Sequence, residues 1–213
     1  MLKKTLIAIP AYNEESNIKN IVFECKKLSK VLVVNDGSDD QTETFAKRSG
    51  AKVINHKNRL GYENSIYTAV KYFVKSKYTK IIFLDADGDH PSSFIKTFDK
   101  DLNQFDIVCG IRQKVNRFGE KFFIFLSKLI WNLNDPLCGM KGYKRSFLEK
   151  TFKEKKFNSI HTFFLINGKK KKFKVKEIDI NNKPRIIDSK FGSGLSTNFN
   201  IILTFFKCLI FIT

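Results

Sequence analysis

Short apolar runs recur along the first half of the chain, and a segment with helical spacing separates each run from the next. The runs are rich in β-branched residues and bounded by turn formers, as expected of strands that are buried on both faces of a sheet. We therefore predict strands at residues 6–9, 31–34, 53–54, 81–84 and 107–108, and helices at residues 14–28, 41–49, 64–75 and 91–102. This alternation predicts βαβ units, and so an α/β fold with a mostly parallel, Rossmann-like sheet flanked by helices.

The alternation weakens after Gly110. Residues 117–133 form an aromatic-rich amphipathic stretch, residues 135–139 are typical of a turn or loop, and residues 173–180 alternate as a strand does. The aromatic stripe of the amphipathic stretch fits either a core-facing or a membrane-facing helix. With 213 residues, the chain is long enough for one sizeable domain, to which we assign residues 1–200.

The charge of the chain narrows the range of its partners. It has 39 Lys plus Arg against 21 Asp plus Glu, which gives a formal net charge of +18. Such an excess favours anionic partners, namely nucleic acid, phosphorylated small molecules or an acidic membrane face, unless lysine is simply used heavily throughout. The four cysteines are scattered without ligand spacing. Their placement argues against a structural zinc site or a disulfide framework, and it indicates a reducing, cytosolic environment.

Residues 201–213 form an almost wholly apolar segment at the end of the chain. As a helix, this segment would reach roughly 20 Å, which is short of the ~30 Å hydrocarbon core of a bilayer. It therefore fits a helix that lies in the membrane interface, or one that packs on the domain as part of its core.

Polar clusters follow three of the predicted strands, at residues 10–14, 35–39 and 85–89. In open α/β sheets, ligands bind beyond the carboxyl ends of the strands. The third cluster holds Asp85 and Asp87, and carboxylates two residues apart at a strand end can both turn toward one hard divalent cation. Such an ion would bridge two phosphates and stabilise a departing diphosphate. The alternative is that these Asp and Gly residues simply end a strand, since both are common in turns.

The content and order of the three clusters resemble those of the family 2 glycosyltransferases, which have the GT-A fold. That family shows P-x-Y-N-E, then V-x-D-G-S, then D-x-D, and this chain has P-A-Y-N-E, V-N-D-G-S and D-A-D in the same order. The resemblance is closest to the polyprenyl-phosphate branch, which includes dolichyl-phosphate mannosyltransferases. There the third motif typically reads D-A-D-L-Q-H-P, and here it reads D-A-D-G-D-H-P. The resemblance extends from about Lys4 to about Ser196.

The resemblance implies a nucleotide-sugar donor and a divalent metal ion. Contacts with the nucleotide would come from Pro10, Tyr12, Glu14, Val34, Asp36 and Ala86. Asp85 and Asp87 would bind Mg²⁺ or Mn²⁺, and Asp89, which stands where that branch often has Gln, could add a third contact. Residues 1–110 would then be the nucleotide-sugar-binding half of the domain, and residues 111–200 the acceptor half.

Further positions match the family outside these clusters. Gly61 would let the backbone pass close to the donor, and Arg112 would contact its diphosphate. Asp135 begins D-P-L-C-G, which matches the family's D-P-x-x-G acceptor loop, with residues 140–145 continuing that loop. Asp135 is also the one candidate base outside the metal site, so Asp135 and Arg112 are the expected catalytic residues. Arg185, and with a looser match Lys190, are expected to contact the donor near the end of the chain.

The resemblance thus implies an inverting, metal-dependent enzyme that moves a sugar from a nucleotide diphosphate to a polyprenyl phosphate. Such an enzyme would be peripheral, on the anionic cytoplasmic face of a membrane, and a separate membrane subunit could complete it. Two alternatives stay open, namely transfer to a sugar hydroxyl in surface polysaccharide synthesis and a basic nucleic-acid-binding protein. The chain has no RNP, KH or zinc-finger pattern, so nucleic acid is not an expected partner.

Overall fold

The computed structural model describes residues 2–152, 159–180 and 195–212. The strands are β1 (Thr5–Ala11), β2 (Lys30–Asn35), β3 (Lys52–Asn55), β4 (Lys80–Phe83), β5 (Ile107–Arg112), β6 (Lys141–Lys144) and β7 (Val175–Ile180). The helices are α1 (Glu15–Leu28), α2 (Thr42–Arg48), α3 (Tyr62–Lys75), α4 (Phe94–Asp101), α5 (Phe118–Trp131), α6 (Arg145–Thr151), α7 (Ile160–Lys170) and α8 (Leu195–Ile212).

Seven strands form one sheet in the order β3-β2-β1-β4-β6-β5-β7. β1 pairs in parallel with β2 and β4, β2 pairs in parallel with β3, and β5 does so with β7. Only β6 is antiparallel to its neighbours, β4 and β5, among the strands described. The predicted α/β fold with a mostly parallel sheet and flanking helices is therefore confirmed.

Two strands differ from the predictions. Residues 140–145 do not continue the predicted loop, because Lys141–Lys144 form β6, which fills the gap between β4 and β5. This K-G-Y-K segment has no apolar run, and its strand form depends on pairing with both neighbours rather than on propensity. The edge strand β3 is partly exposed along its length, so it is not buried on both faces as expected.

The core lies on both faces of the central strands. All seven residues of β1 are buried, as are the last five of β2. The α3 helix turns one apolar face to the sheet, with Ile66, Ala69, Val70 and Phe73 all fully buried at helical spacing. The four cysteines are buried and unpaired.

The apolar end of the chain belongs to α8, which packs beside α5. The side chain of Asn198 in α8 accepts a hydrogen bond from the backbone N–H of Gly119 in α5, at 2.8 Å. Phe205 and Cys208 are buried, so part of this segment is core. None of the helices in the described residues is long and apolar enough to cross a bilayer.

Candidate active site

The carboxyl ends of β1, β2, β4 and β5 meet at one edge of the sheet. The parallel pairing brings the ends of β1, β2 and β4 together, and β5 runs in the same direction because antiparallel β6 separates it from β4. Lys141 at the start of β6 pairs with Phe83 at the end of β4, so residues 135–140 come to this edge as well. The three polar clusters and the predicted acceptor loop therefore lie together, where an open α/β sheet binds its ligands.

Asp85, the first carboxylate after β4, is held from three sides. Its Oδ1 accepts a hydrogen bond from the Tyr62 hydroxyl at 2.9 Å, and its Oδ2 lies 3.6 Å from Nδ1 of His90. The backbone of Gly139 packs against the carboxylate so closely that a Cβ there would overlap Oδ2. The side chain of Asp85 is nevertheless 21% exposed, so the carboxylate is positioned and still accessible to a ligand.

The environment of Tyr62 keeps its hydroxyl protonated. Burial, and then the charge of Asp85, raise the pKa of Tyr62 well above its ordinary value. The phenol therefore stays protonated at neutral pH and donates a hydrogen bond to Asp85. Tyr62 begins α3, and its partner follows β4, so the contact joins two elements that are far apart in the sequence.

The other two predicted metal ligands follow in a tight turn. The carboxylate of Asp87 accepts a hydrogen bond from the backbone N–H of Asp89 at 3.1 Å, and Gly88 between them has a φ of 81°. Within the described ranges, no three Asp, Glu, His or Cys side chains are gathered into a ready-made metal site. One or two carboxylates nevertheless suit Mg²⁺, which usually completes its shell with water and substrate phosphates. The carboxylates thus fit such an ion in their chemistry, and their role as ligands stays a prediction.

Asp36, at the end of β2, organises the loop that precedes α3. Its two carboxylate oxygens accept hydrogen bonds from the backbone N–H groups of Leu60 at 2.9 Å and Gly61 at 2.7 Å. The ring of His56 lies 2.8 Å from the same carboxylate through Nδ1 and 2.9 Å from the Thr68 hydroxyl through Nε2. Asp36 is buried, so in this structure it shapes the predicted nucleoside pocket by fixing its loop.

Gly61 has a φ of 94°, a conformation that glycine adopts at little cost. No atom lies within 4 Å of a Cβ built on it, so the space in front of this residue is open. The glycine is therefore required by the backbone conformation, and the open space in front of it is compatible with the predicted close approach of the donor.

The loops after β1 and β2 are joined to each other. Asn13 donates its backbone N–H to the Ser38 hydroxyl at 2.9 Å, and its side-chain oxygen accepts from Asp39 at 3.2 Å. The guanidinium of Arg59 stacks over the ring of Tyr12, with 4.2 Å between its central carbon and the ring centroid. A partly exposed aromatic ring covered by a cation is a surface on which a planar base could stack.

The remaining nucleotide-contact candidates are mostly buried. Pro10 and Val34 are register partners in β1 and β2, and both are buried, as is Ala86. Glu14 is nearly buried at the start of α1, where its carboxylate accepts a hydrogen bond from the side chain of Asn17 at 3.1 Å. These residues lie at or beneath the predicted nucleotide site, and their contacts with a donor stay predictions.

Asp135 and Arg112 form a bidentate ion pair. Arg112 donates through Nε to Oδ2 of Asp135 at 2.8 Å and through Nη2 to Oδ1 at 3.0 Å. Its backbone N–H also donates to Oδ2, at 3.1 Å. Burial lowers the pKa of Arg112, but the charge and hydrogen bonds of Asp135 together with the charge of Glu120 more than offset this effect, so the net pKa is raised and the guanidinium stays charged. The two predicted catalytic residues therefore satisfy each other in this structure.

Two glutamates extend this ion pair into neighbouring elements. Glu120 of α5 lies 3.5 Å from Arg112 and 3.2 Å from Arg117. Glu177 of β7 accepts hydrogen bonds from the backbone N–H groups of Asn134 and Asp135, at 2.8 and 3.3 Å. The acceptor loop is thus tied to α5 on one side and to β7 on the other.

A buried lysine supports the acceptor loop from below. Lys141 is fully buried at the start of β6, and its ammonium donates hydrogen bonds to the backbone carbonyls of Pro136, at 3.0 Å, and of Cys138. Carbonyl oxygens solvate the charge that burial would otherwise leave unpaired. The residues of the loop between Asp135 and Gly139 therefore have a fixed path past Asp85.

Sequence reasoning missed Tyr62 and Lys141 as parts of the site. Neither belongs to a polar cluster, and Lys141 reads as one of many surface lysines; only its place among apolar neighbours could have marked it. Arg185 and Lys190, which were predicted to contact the donor, lie outside the described residues.

The order and direction of the strands, with helices on the sheet, define an α/β fold of the GT-A type. The family model described as "Glycosyl transferase family 2" matches residues 6–167, which is most of the chain. The chain therefore belongs to glycosyl transferase family 2, and it is an enzyme of that family.

Known proteins resemble the chain over most of its length. An uncharacterized protein of Methanocaldococcus jannaschii is 26% identical, over 95% of this chain and 88% of that protein. The UDP-N-acetylglucosamine–dolichyl-phosphate N-acetylglucosaminyltransferase of Methanococcus voltae is 24% identical, over 92% of this chain and 90% of that protein. Among solved structures, glucosyl-3-phosphoglycerate synthase from Mycobacterium tuberculosis, in complex with Mn²⁺, UDP and glucosyl-3-phosphoglycerate, superimposes with a TM-score of 0.77 at 16% identity. The superposition covers 97% of this chain and 78% of the synthase chain, and it confirms the GT-A fold.

Proposed function

We propose that this enzyme transfers a sugar from a nucleotide diphosphate to a polyprenyl phosphate, with Mg²⁺ or Mn²⁺ bound at Asp85 and Asp87. The observation that carries the proposal is the pair of carboxylates at the end of β4, beside a fixed acceptor loop. The methanococcal relative named for transfer to dolichyl phosphate supports this acceptor class. The solved structure that holds Mn²⁺ with UDP supports the metal and the nucleotide diphosphate.

The proposed donor site is divided among three loops. The nucleoside would lie against the ring of Tyr12 and the loop that Asp36 fixes, since Arg59 of that loop stacks on Tyr12. Asp85, oriented by Tyr62, would hold the metal ion together with Asp87, and Asp89 is close enough in sequence to add a ligand. When bound, the ion would neutralise charge that develops on the departing nucleotide diphosphate.

The burial of Asp135 and its pairing with Arg112 favour a phosphate acceptor over a hydroxyl acceptor. Its carboxylate is almost fully buried and accepts hydrogen bonds from Nε and Nη2 of Arg112, so it is poorly placed to take a proton from an acceptor hydroxyl. A phosphate monoester has its second pKa near ~6, and its oxygen is already ionised at neutral pH. Such an acceptor needs to be positioned but does not need a general base. The Asp135–Arg112 pair would give a fixed surface against which the acceptor is positioned.

The second candidate is transfer to a sugar hydroxyl during surface polysaccharide synthesis. A hydroxyl is far less acidic than a phosphate, and it needs a positioned base that usually contributes ~10² to 10⁴ in rate. Asp135 could serve only after it separates from Arg112. Family membership also makes a basic nucleic-acid-binding protein the weaker interpretation.

For its location, we propose peripheral attachment at the anionic cytoplasmic face of a membrane, where a polyprenyl phosphate would be reached. The net charge of +18 and the apolar α8 support this location. A separate membrane subunit could complete the enzyme.

An acceptor panel tests the proposal. The protein is incubated with a set of nucleotide sugars and Mn²⁺, with either a polyprenyl phosphate in detergent or a set of oligosaccharides as acceptor, and release of the nucleotide diphosphate is measured. We expect release with at least one donor to require the polyprenyl phosphate. Release that depends on an oligosaccharide and ignores the lipid phosphate would overturn the acceptor assignment.

A further inference from the structure

Helix α5 exposes an apolar stripe on one side. Phe118, Phe125 and Leu129 are 70%, 63% and 68% exposed, and their spacing of seven and four residues places them on one face of the helix. Phe122, at the intermediate position of the same face, is partly buried. Large apolar side chains exposed singly are ordinary, but an aligned series of them marks an interaction surface.

Helix α8 exposes a second stripe with the same periodicity. Its exposed apolar residues are spaced by four, three and four positions: Phe199, Leu203, Phe206 and Ile210. The opposite face of α8 is buried through Phe205 and Cys208. Helix α8 is therefore apolar on two faces, one buried against the domain and the other exposed.

The two stripes lie side by side. Gly119 of α5 contacts Asn198 of α8, and further along both helices Phe205 packs edge-on against Phe123, with 5.3 Å between the ring centroids. The contacts follow the same order along both chains, so the helices run in the same direction. When the two helices are viewed along their axes, both exposed stripes lie on the same side of the line that joins the axes. We call the combined surface, made by the seven exposed residues above, the α5–α8 apolar face.

Lysines flank the α5–α8 apolar face on both of its outer sides. Lys121 and Lys128 are exposed beside the stripe of α5, and Lys207 is exposed beside the stripe of α8, on the side turned away from α5. Two apolar stripes bordered by two lysines on one side and one lysine on the other fit the surface of a bilayer that contains anionic lipid, where acyl chains lie beneath charged headgroups. A protein partner would need a matching groove, whereas a membrane needs only this layering.

We propose that the α5–α8 apolar face is the surface by which the enzyme lies on an anionic bilayer, with α5 contributing as much of the contact as α8. The sequence predicts attachment through residues 201–213 and leaves the aromatic stretch 117–133 as either core-facing or membrane-facing. In the structure, α5 exposes an apolar stripe that adjoins that of α8. Neither helix enters the bilayer as a span; both would lie in the plane of the interface.

The location of this face also has a consequence for the acceptor, which rests on the proposed function. Glu120, on the inner side of α5, contacts Arg112, which in turn holds Asp135 of the acceptor loop. A bilayer against the outer side of α5 would therefore lie one helix away from the acceptor loop. A lipid phosphate at the headgroup level could reach that loop while its chain stays in the bilayer.

Vesicle binding tests the proposal without donor, acceptor or metal. Sedimentation is compared on vesicles of phosphatidylcholine alone and of phosphatidylcholine with phosphatidylglycerol. We expect the combined change Phe125→Ser and Phe206→Ser to lower the partition coefficient by about tenfold for each phenylalanine. Phe23→Ser is the matched control, because Phe23 is an equally exposed phenylalanine on α1, away from this face. Circular dichroism and an unfolding curve show whether each variant is folded.

Changing the lysines beside the α5–α8 apolar face gives a second vesicle-binding measurement, in which the apolar residues are left unchanged. The triple change Lys121→Gln, Lys128→Gln and Lys207→Gln should weaken binding to anionic vesicles by about fivefold for each lysine and leave binding to neutral vesicles unchanged. The same change at the exposed lysines Lys19, Lys71 and Lys100, which lie on other helices, should have a smaller effect.

Three outcomes would overturn the proposal. Undiminished vesicle binding by the folded double-serine variant would place the attachment elsewhere. Equal effects of the two lysine triples would show that net charge alone acts. A dimer in vesicle-free solution that the serine changes dissociate would make the face a subunit interface. Since no transfer is measured, failure of the proposed acceptor would leave these results unaffected.

Discussion

Tyr62 is the side chain that most directly fixes the carboxylate of Asp85, through a 2.9 Å hydrogen bond. Tyr62→Phe keeps the ring and removes the donor, so the carboxylate gains freedom to rotate. Outer-shell partners of metal ligands typically contribute 10- to 100-fold, and we expect transfer to slow by about tenfold with a higher metal concentration at half-maximal rate. Tyr67→Phe, at a ring stacked on Phe152, is the control. Identical metal titrations for the two variants would show that the hydroxyl does not position Asp85.

Asp135 is the residue at which the two acceptor classes differ most. For a phosphate acceptor, Asp135→Asn should lower turnover by about tenfold or less, because an amide cannot hold Arg112 as a carboxylate does but no base is lost. For a hydroxyl acceptor, nearly all turnover should be lost. Turnover and nucleotide-sugar affinity are measured separately. The comparison variant is Glu120→Gln, which weakens the contacts of Glu120 with Arg112 and Arg117 and leaves Asp135 in place. Near-complete loss with unchanged donor affinity would favour the polysaccharide alternative.

Strand β6 holds the acceptor loop through one buried lysine. Lys141→Met preserves most of the side-chain volume but removes the donor to the carbonyls of Pro136 and Cys138. We expect the loop to lose its fixed path, so that kcat/KM for the acceptor falls by about tenfold while donor affinity is retained. Lys144→Met, in the same strand at a partly exposed position, is the control. Acceptor kinetics equal to those of the control would mean that the lysine serves the core alone.

The elements that the sequence predicts well are those whose signal is local. The strands β1, β2, β4 and β5 are dense apolar runs, and the acidic cluster after β4 has a chemistry that spacing alone suggests. β6 has no such run, because its strand form depends on two neighbours that come from distant parts of the chain. The contact of Tyr62 with Asp85, and that of Arg112 with Asp135, likewise depend on the order of strands in the sheet. The sequence therefore indicates the polar clusters at the strand ends, and the topology determines which side chains, Tyr62 among them, pair with those clusters.

At the scale of the whole molecule, a buried histidine makes stability depend on pH. Burial, and then the charge of Lys141, lower the pKa of His161 well below its ordinary value of about 6.5. The unfolded chain therefore binds a proton that the folded chain does not, and stability is lost as pH falls below about 6.5, by up to ~1.4 kcal/mol for each pH unit. His161→Phe keeps a ring beside Tyr143 and should make the free energy of unfolding depend less on pH below about 6.5. The free energy of unfolding is measured by denaturant unfolding between pH 5 and 8. An equal dependence on pH in both proteins would show that His161 is not its source.

The central claim is that the molecule transfers a sugar only with a divalent ion held by the carboxylates that follow β4. The most direct measurement is release of nucleotide diphosphate, in Mn²⁺, in Mg²⁺ and in EDTA, by the unmodified enzyme, by Asp87→Ala and by Glu24→Ala, an exposed carboxylate on α1. We predict release that requires metal in the unmodified and Glu24→Ala proteins. In Asp87→Ala we predict a loss of about 10³-fold, as the removal of several kcal/mol of stabilisation would give, with an unchanged unfolding midpoint. Full release in EDTA, or by Asp87→Ala in metal, would contradict the account.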